Sequence, residues 1–486
     1  MAGAPPAPTI APLVRTVDLK VGQSCTVTLS DGKNAVVKLL DLKEMRDPLR
    51  NAVRSAEVTV EVNGRKVTIP AAFYSLPVTV GDVQIDCAVT KGFVKPNDPR
   101  RKNVWALDAD ARLRLWPAGS PWIRPGTFTY PAKQRWFASD TQMANVPVFV
   151  DGGEVPANKS IYYHSGLDIG GAEGLVEIVA ATDGFVISAG MEQCGTEKHP
   201  MREPRRGAIS LRGDRGWYYR YSHLCWVDPA VKPGSRIKRG QKLGLLGKES
   251  GAGWAHLHFD ITAEQPSGRY GHLEGYAFLW QTYHKANPTK LQAVARPHHF
   301  VRTGDAVVFD ATRSWNAARP EGIIDYHWIF SDGTTAVGPK PQRTYSRSGT
   351  YSEILKVTDK DGRIDYDFAV VQVIDREHPE QVPPSVHATY WPTTDIRPGV
   401  EITFQVATFR VDKTEGHERW DFGDGSPAVQ VQSDGPAVRR AKADYAVTTH
   451  RYQKPGHYLV QVQRTNDRGQ TATARLHVVV GEGSTR

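Results

Sequence analysis

Tyr163-His-Ser-Gly-Leu-Asp168 opens, and Ala255-His-Leu-His-Phe-Asp-Ile261 closes, the stretch on which the reading of this chain turns. Between them stands Tyr221-Ser-His-Leu224. The closing segment is short and alternating, with aromatic and β-branched residues at its end, which is the pattern of a strand. Side chains two apart on a strand share a face, so His256 and His258 point one way and Leu257 and Phe259 the other. Upstream, Gly166 allows a bend that brings His164 and Asp168 to one point. Two neutral imidazoles and one carboxylate make an N,N,O set with a fourth position left for water. That is the coordination of a catalytic zinc rather than a structural one.

His164-x-Gly-x-Asp168 followed far downstream by His256-x-His258, with Tyr221-x-His223-Leu224 between, resembles the M23 (lysostaphin-type, LytM-like) zinc metallopeptidases. Ala180-Ala-Thr-Asp-Gly-Phe-Val186 is similar to a turn of that family. Lys232-Pro-Gly234, Arg239-Gly-Gln241 and Leu243-Gly-Leu-Leu-Gly247 are similar to its glycine-punctuated run before the last histidine pair. The resemblance implies that His164, Asp168 and His258 ligate zinc. It implies that His223 and His256 flank the water and the substrate carbonyl, as base and transition-state stabiliser. It implies an antiparallel β-sheet peptidase domain and a substrate in peptidoglycan, either a stem-peptide cross-link or a bridge. Some relatives cut glycine-rich extracellular proteins, and others are silent scaffolds or amidase activators. Silent relatives typically lack a ligand, and this chain lacks none. No His-Glu-x-x-His helix motif is present, so the helical metalloprotease mechanism does not apply.

A chain of 486 residues is too long for one ordinary core and predicts three or four domains. With 40% hydrophobic and 23% charged residues it reads as globular rather than disordered. Its 44 Gly, 33 Pro and 18 Tyr favour short strands and turns, so the fold class expected is mainly β. No run of 18 apolar residues exists, so no transmembrane segment is predicted. The net charge of +9 would suit an anionic wall polymer as partner, yet 61 basic against 52 acidic residues is an ordinary solvated surface. No nucleic-acid module is visible, and a monomer is expected. The start, Met1-Ala-Gly-Ala-Pro-Pro-Ala-Pro, has no basic or apolar run of a signal peptide. An extracellular, periplasmic or cell-envelope location therefore requires a trimmed mature chain or another export route. Four cysteines fall two by two, and pairing within regions would give Cys25–Cys87 and Cys194–Cys225. The alternative is four buried thiols.

Along the chain, residues 1–12 form a flexible Pro/Ala tail. Residues 13–117 alternate like strands, with hairpin turns at Asp31-Gly32 and Asn63-Gly64 and no histidine. This N-terminal β-domain has no catalytic constellation. The peptidase domain spans 118–288 with its core at 160–264, and a helix over Tyr276-Ala-Phe-Leu-Trp-Gln-Thr-Tyr283 closes it. A connector from Trp116 to Lys159 leads into the peptidase core, and the N-terminal domain, or the connector around Asn145, could cover the metal in a latent form. The basic stretch 191–206 reads as a solvated insert. His199, His272, His284, His298 and His299 receive no role.

Beyond residue 288 an internal repeat recurs with a period of about 90 residues. Trp328-Ile-Phe-Ser-Asp-Gly333 returns as Trp420-Asp-Phe-Gly-Asp-Gly425, and Tyr345-Ser-Arg-Ser-Gly-Thr-Tyr351 as Tyr452-Gln-Lys-Pro-Gly-His-Tyr458. Each unit reads as an immunoglobulin-like β-sandwich. The units, 289–376 and 386–481 with a linker at 377–385, resemble PKD domains, whose hallmark is Trp-x-Phe-Gly-Asp-Gly. The first carries Ser331 in place of the glycine. Their acidic turns read as hairpin chemistry before calcium sites.

Overall fold

The computed structural model describes residues 6–481 apart from 72, 95–102, 148–149, 151–152, 158–160, 195–202, 318–321 and 434–444. Part of the predicted tail (1–5), part of the insert read over 191–206, and His199 therefore lie outside the described residues. Of the rest of the tail, Thr9 and Ile10 donate their backbone N–H groups to the Asp214 carbonyl.

The chain is mostly β and multidomain. Strands up to Ala111–Pro117 form two four-stranded antiparallel sheets. The Asn63-Gly64 turn takes positive φ at both residues, as a two-residue hairpin between Val53–Val62 and Arg65–Pro70 requires. Strand Ala111–Pro117 buries Arg112 and Arg114, which is tolerable only because each is paired: Arg112 with Asp18 at 2.7 Å, and Arg114 with Asp86 at 2.6 Å. Arg114 also reaches Glu274 at 3.2 Å. Glu274 in turn accepts the N–H of Tyr276 at 2.6 Å, at the start of helix Tyr276–Ala286. The N-terminal sheets and the central sheet thereby share one hydrophobic core.

The central antiparallel sheet runs Gly184–Ala189, Ile209–Gly213, Tyr218–Ser222, His256–Glu264, Leu167–Gly170, Thr141–Gln142 in lateral order. Leu257, Phe259 and Ile261 fill the core from one face of strand His256–Glu264, and Phe259 lies against Tyr219 and Tyr221. The other face carries His256, His258 and Asp260. Register decides the site: Asp168 stands opposite His258, and Ser222, the residue before His223, opposite His258 on the other side.

The two C-terminal sandwiches are built around Trp328 and Trp420, both fully buried. They are joined by a parallel bridge, Thr350 to Ala472, into one nine-stranded sheet. The Ser331 substitution has a local partner. Its N–H and hydroxyl both donate to Glu353 Oε2 at 2.7 Å, and Tyr345 donates to Glu353 Oε1 at 2.8 Å. The second unit has Val460 at the Glu353 position and keeps Gly423, at φ +75° with the Leu459 carbonyl 2.8 Å from where a Cβ would lie. The acidic turns behave as hairpins: Asp332 accepts from Thr334 and pairs with Arg343, and Asp424 accepts from Ser426 and lies against His450.

Arg135, from the connector, is where three units meet. Its guanidinium reaches Asp365 of the first sandwich at 3.0 Å and both the carbonyl (3.0 Å) and the ring nitrogen (3.1 Å) of His477 of the second.

The disulfide expectation is corrected: no disulfide joins any of the four cysteines. Cys25 and Cys87 lie on strands of two different sheets. The Cys87 thiol is buried on the Val89 carbonyl, and the exposed Cys225 donates to the Leu246 carbonyl at 3.2 Å. Cys87 keeps its proton because burial disfavours the thiolate.

Candidate metal centre

Strand register and one glycine assemble the site. Gly166 takes φ +83°, and a Cβ there would lie 2.6 Å from Asp260 Oδ1 and 3.0 Å from the His258 ring, so the turn between His164 and Asp168 excludes any side chain. His164 is held by its own backbone, pairing with Asn145 and Val146. His223 follows strand Tyr218–Ser222 at φ +71°, a conformation that costs a non-glycine residue about 1 kcal/mol and that aims its ring at the histidine strand.

The predicted residues come together. Asp168 Oδ1 lies 2.7 Å from His258 Nδ1, 3.1 Å from His164 Nε2 and 3.3 Å from His256 Nε2. His164 Nε2 and His258 Nδ1 are 3.1 Å apart. The His223 ring centroid stands 4.7 Å from that of His256. His164, Asp168 and His256 are buried, whereas His223 and His258 are half-buried and give the site its open side.

The remaining ring nitrogens are already committed. His164 Nδ1 faces the Met143 carbonyl (3.2 Å), His256 Nδ1 the Trp254 carbonyl (3.0 Å), and His223 Nδ1 the Glu249 carbonyl (2.6 Å). A carbonyl only accepts, so these nitrogens carry the protons and each Nε2 turns a lone pair into the site. His258 is fixed the other way, with Nε2 on Asp260 Oδ2 at 2.8 Å and Nδ1 inward. Three acceptor atoms, His164 Nε2, Asp168 Oδ1 and His258 Nδ1, therefore face one another within 3.1 Å, an arrangement that calls for a cation. These donors fit zinc. A second grouping, His223, His256 and His258, also brings its ring nitrogens close, but it lacks the carboxylate.

Electrostatics separates the histidines. Burial, reinforced by the neighbouring His258, lowers His223 to about 4. Burial also lowers His256 well below its ordinary value, against the opposing pull of Asp168. Burial alone would lower His258, but Asp260 and Asp168 outweigh it and favour a positive charge at Nδ1, met either by a proton or by a cation bound in its place.

Two supporting residues went unassigned in the sequence. Asp260 lies two past His258 on the same strand face, a spacing that alternation alone could have flagged. His272, given no role, stands behind it with Nδ1 3.4 Å from Asp260 Oδ1, its Nε2 accepting the Gly166 N–H at 3.3 Å. Trp105 packs edge-on against His272 at 4.5 Å. Asn145, in the connector, is fully buried: its side chain accepts from Trp105 Nε1 at 3.0 Å and donates to the Ala88 carbonyl, and its backbone N–H donates to the His164 carbonyl at 2.7 Å.

Comparison with known proteins matches residues 162–269 to peptidase family M23, and residues 289–373 and 387–480 each to the PKD domain. The chain thus carries an M23 peptidase domain followed by two PKD domains. Among solved structures, a glycyl-glycine endopeptidase lytM from Ruminococcus gnavus is 17% identical at TM-score 0.22, over 32% of this chain and 62% of that one. Lysostaphin from Staphylococcus simulans is 14% identical at TM-score 0.23, over 72% and 91%. Csd3 from Helicobacter pylori is 14% identical at TM-score 0.21, over 55% and 82%.

Proposed function

We propose that this protein is a zinc-dependent endopeptidase that hydrolyses peptide bonds in peptidoglycan, in stem-peptide cross-links or bridges, outside the cytoplasm. The convergence of His164 Nε2, Asp168 Oδ1 and His258 Nδ1, with half-buried His223 and buried His256 beside it, carries this reading. Bound there, zinc would supply Lewis acidity that polarises a carbonyl oxygen and acidifies water.

The chain's own residues supply the rest. His223 and His256 are neutral at neutral pH because burial opposes their charge, so each Nε2 can accept a proton. Their Nδ1 protons, held on the Glu249 and Trp254 carbonyls, prevent the rings from turning away. Once protonated at Nε2, either ring donates to the developing oxyanion or to the departing amine. Asp260, with His272 behind it, orients His258 and strengthens it as a ligand. No helix among the described residues is long and apolar enough to cross a membrane.

The test is release of amines and muropeptides from purified peptidoglycan by the wild-type chain, by His256→Ala and by a chelated sample. Metal-dependent release that is lost in the variant supports the reading, and fragment masses name the bond. No release by a chain that holds one zinc would refute the peptidoglycan substrate.

A further inference from the structure

Trp254 forms the back of His256, and the second PKD sandwich walls Trp254 in. Trp254 stacks on the His256 ring, with centroids 4.3 Å apart at 26°, and its carbonyl holds the Nδ1 proton. This indole is only 2% exposed, and it sits in a small cluster with Val150 and with Ala407 and Phe409 of the sandwich. His387, from sandwich strand Ser385–Trp391, meets it edge-on at 4.9 Å. Gly170, opposite His256 in the sheet, keeps this packing tight: a Cβ there would lie 2.8 Å from the Trp254 ring and 3.0 Å from His387 Nε2.

A directed chain of hydrogen bonds anchors the same segment. The Ala255 N–H donates to Tyr445 Oη at 2.8 Å, and that hydroxyl lies 2.7 Å from His387 Nδ1. His387 Nε2 is 2.9 Å from Ser139 Oγ, which donates to the Ala388 carbonyl at 2.8 Å. Since the serine proton is spent on a carbonyl, Nε2–H must be the donor to serine, and Nδ1 accepts from Tyr445. Every proton in the series is then assigned, with a neutral His387. Burial lowers His387 to about 4, which agrees with a neutral ring. A second clamp lies alongside: Gln405 of the sandwich exchanges two hydrogen bonds with the backbone of Glu173, at 2.8 and 3.2 Å.

We propose that Tyr445, His387 and the Ala407–Phe409 wall are positioning residues for His256, so that the second PKD sandwich is a structural part of the peptidase site rather than a tethered binding arm. The proposal rests on the reading of His256 as a group that faces the scissile bond. The zinc ligands do not depend on this contact. His164 is held on the Met143 carbonyl and His258 on Asp260, and Asp168 is placed by its sheet pairing with His258 and Gln142.

The test uses the full-length chain with Tyr445→Phe, an isosteric change that removes only the hydroxyl, and Phe409→Ala, which opens a void beside Trp254. Zinc stoichiometry should stay at the wild-type value. Turnover (kcat) on peptidoglycan fragments should fall about tenfold with KM unchanged, the signature of a misplaced catalytic group. In 15N-histidine-labelled protein, the His256 Nδ1–H resonance should shift or exchange faster. Unchanged kcat, or a raised KM with kcat kept, would overturn the proposal. If the wild-type chain cleaves nothing, the hydrolase reading fails, but the Nδ1–H resonance still decides. A signal identical in wild type and both variants overturns the positioning role, and a perturbed one supports it.

Discussion

Replacing Gly166 by Ala separates the two demands placed on that residue. The first is backbone strain: at φ +83° a Cβ costs about 1–2 kcal/mol. The second is space. The new Cβ would lie 2.6 Å from Asp260 Oδ1, and ordinary contact begins at 3.4 Å, so the carboxylate must retreat by about 0.8 Å. A retreat directed away from His258 would stretch the 2.8 Å His258–Asp260 hydrogen bond to about 3.6 Å, beyond bonding range, and the His258 ring, 3.0 Å from the new Cβ, must give as well. Losing such an outer partner lowers metal affinity about 10- to 100-fold, or about 1.4–2.8 kcal/mol. Gly32→Ala is the control, since Gly32 has φ +85° and nothing within 4 Å of its Cβ position. Both variants should lose comparable stability from strain. Only Gly166→Ala should lose zinc affinity in competition with a chromophoric chelator. Equal zinc affinity in both variants would refute the claim that Asp260 supports the metal through His258.

Arg135→Met should cost about 3 kcal/mol, because Asp365 and His477 are left buried without their shared cation; scanning calorimetry should show the sandwiches and the peptidase domain unfolding in separate steps. Ser331→Ala should destabilise by about 1–2 kcal/mol, since Glu353 loses a donor inside the first sandwich; denaturant titration would read this, and Ser331→Thr should recover much of it. Acid should weaken the assembly through His387 and His477, each lowered chiefly by burial from 6.5 to about 4. A buried neutral histidine of depressed pKa contributes fully above pH 6.5 and loses that contribution as pH falls towards 4, on the order of 3 kcal/mol per site. Melting temperatures at pH 7.5 and 4.5 would show the loss, and His387→Gln should reduce it.

Much of the chemistry was legible from spacing. Alternation put His256 and His258 on one face, the glycine between His164 and Asp168 marked a turn, and the repeated Trp-x-Phe-x-Asp-Gly marked two sandwiches. These are local properties, carried by a period of two or by one permissive residue, and they survive without knowledge of what packs where. The cysteines show where such reading ends. Their pairing by region failed because nearness along the chain does not encode where a thiol ends up: Cys87 is buried on the Val89 carbonyl, and Cys225 is exposed on the Leu246 carbonyl. His272 looked incidental for the same reason, since its partner Asp260 is brought to it across a strand pair.

The sequence by itself determined which side chains could bind a cation and that the molecule would be built from strands, because residue chemistry and strand period are written along the chain. Only the tertiary structure decided which nitrogen of each histidine turns inward, since that depends on carbonyls and carboxylates delivered by other segments. It also decided that a sandwich some 150 residues downstream would stand behind His256. Contacts of that range are set by how whole domains fill one another's grooves. A buried indole such as Trp254 takes whatever wall excludes water from it, and no local pattern records which wall that will be.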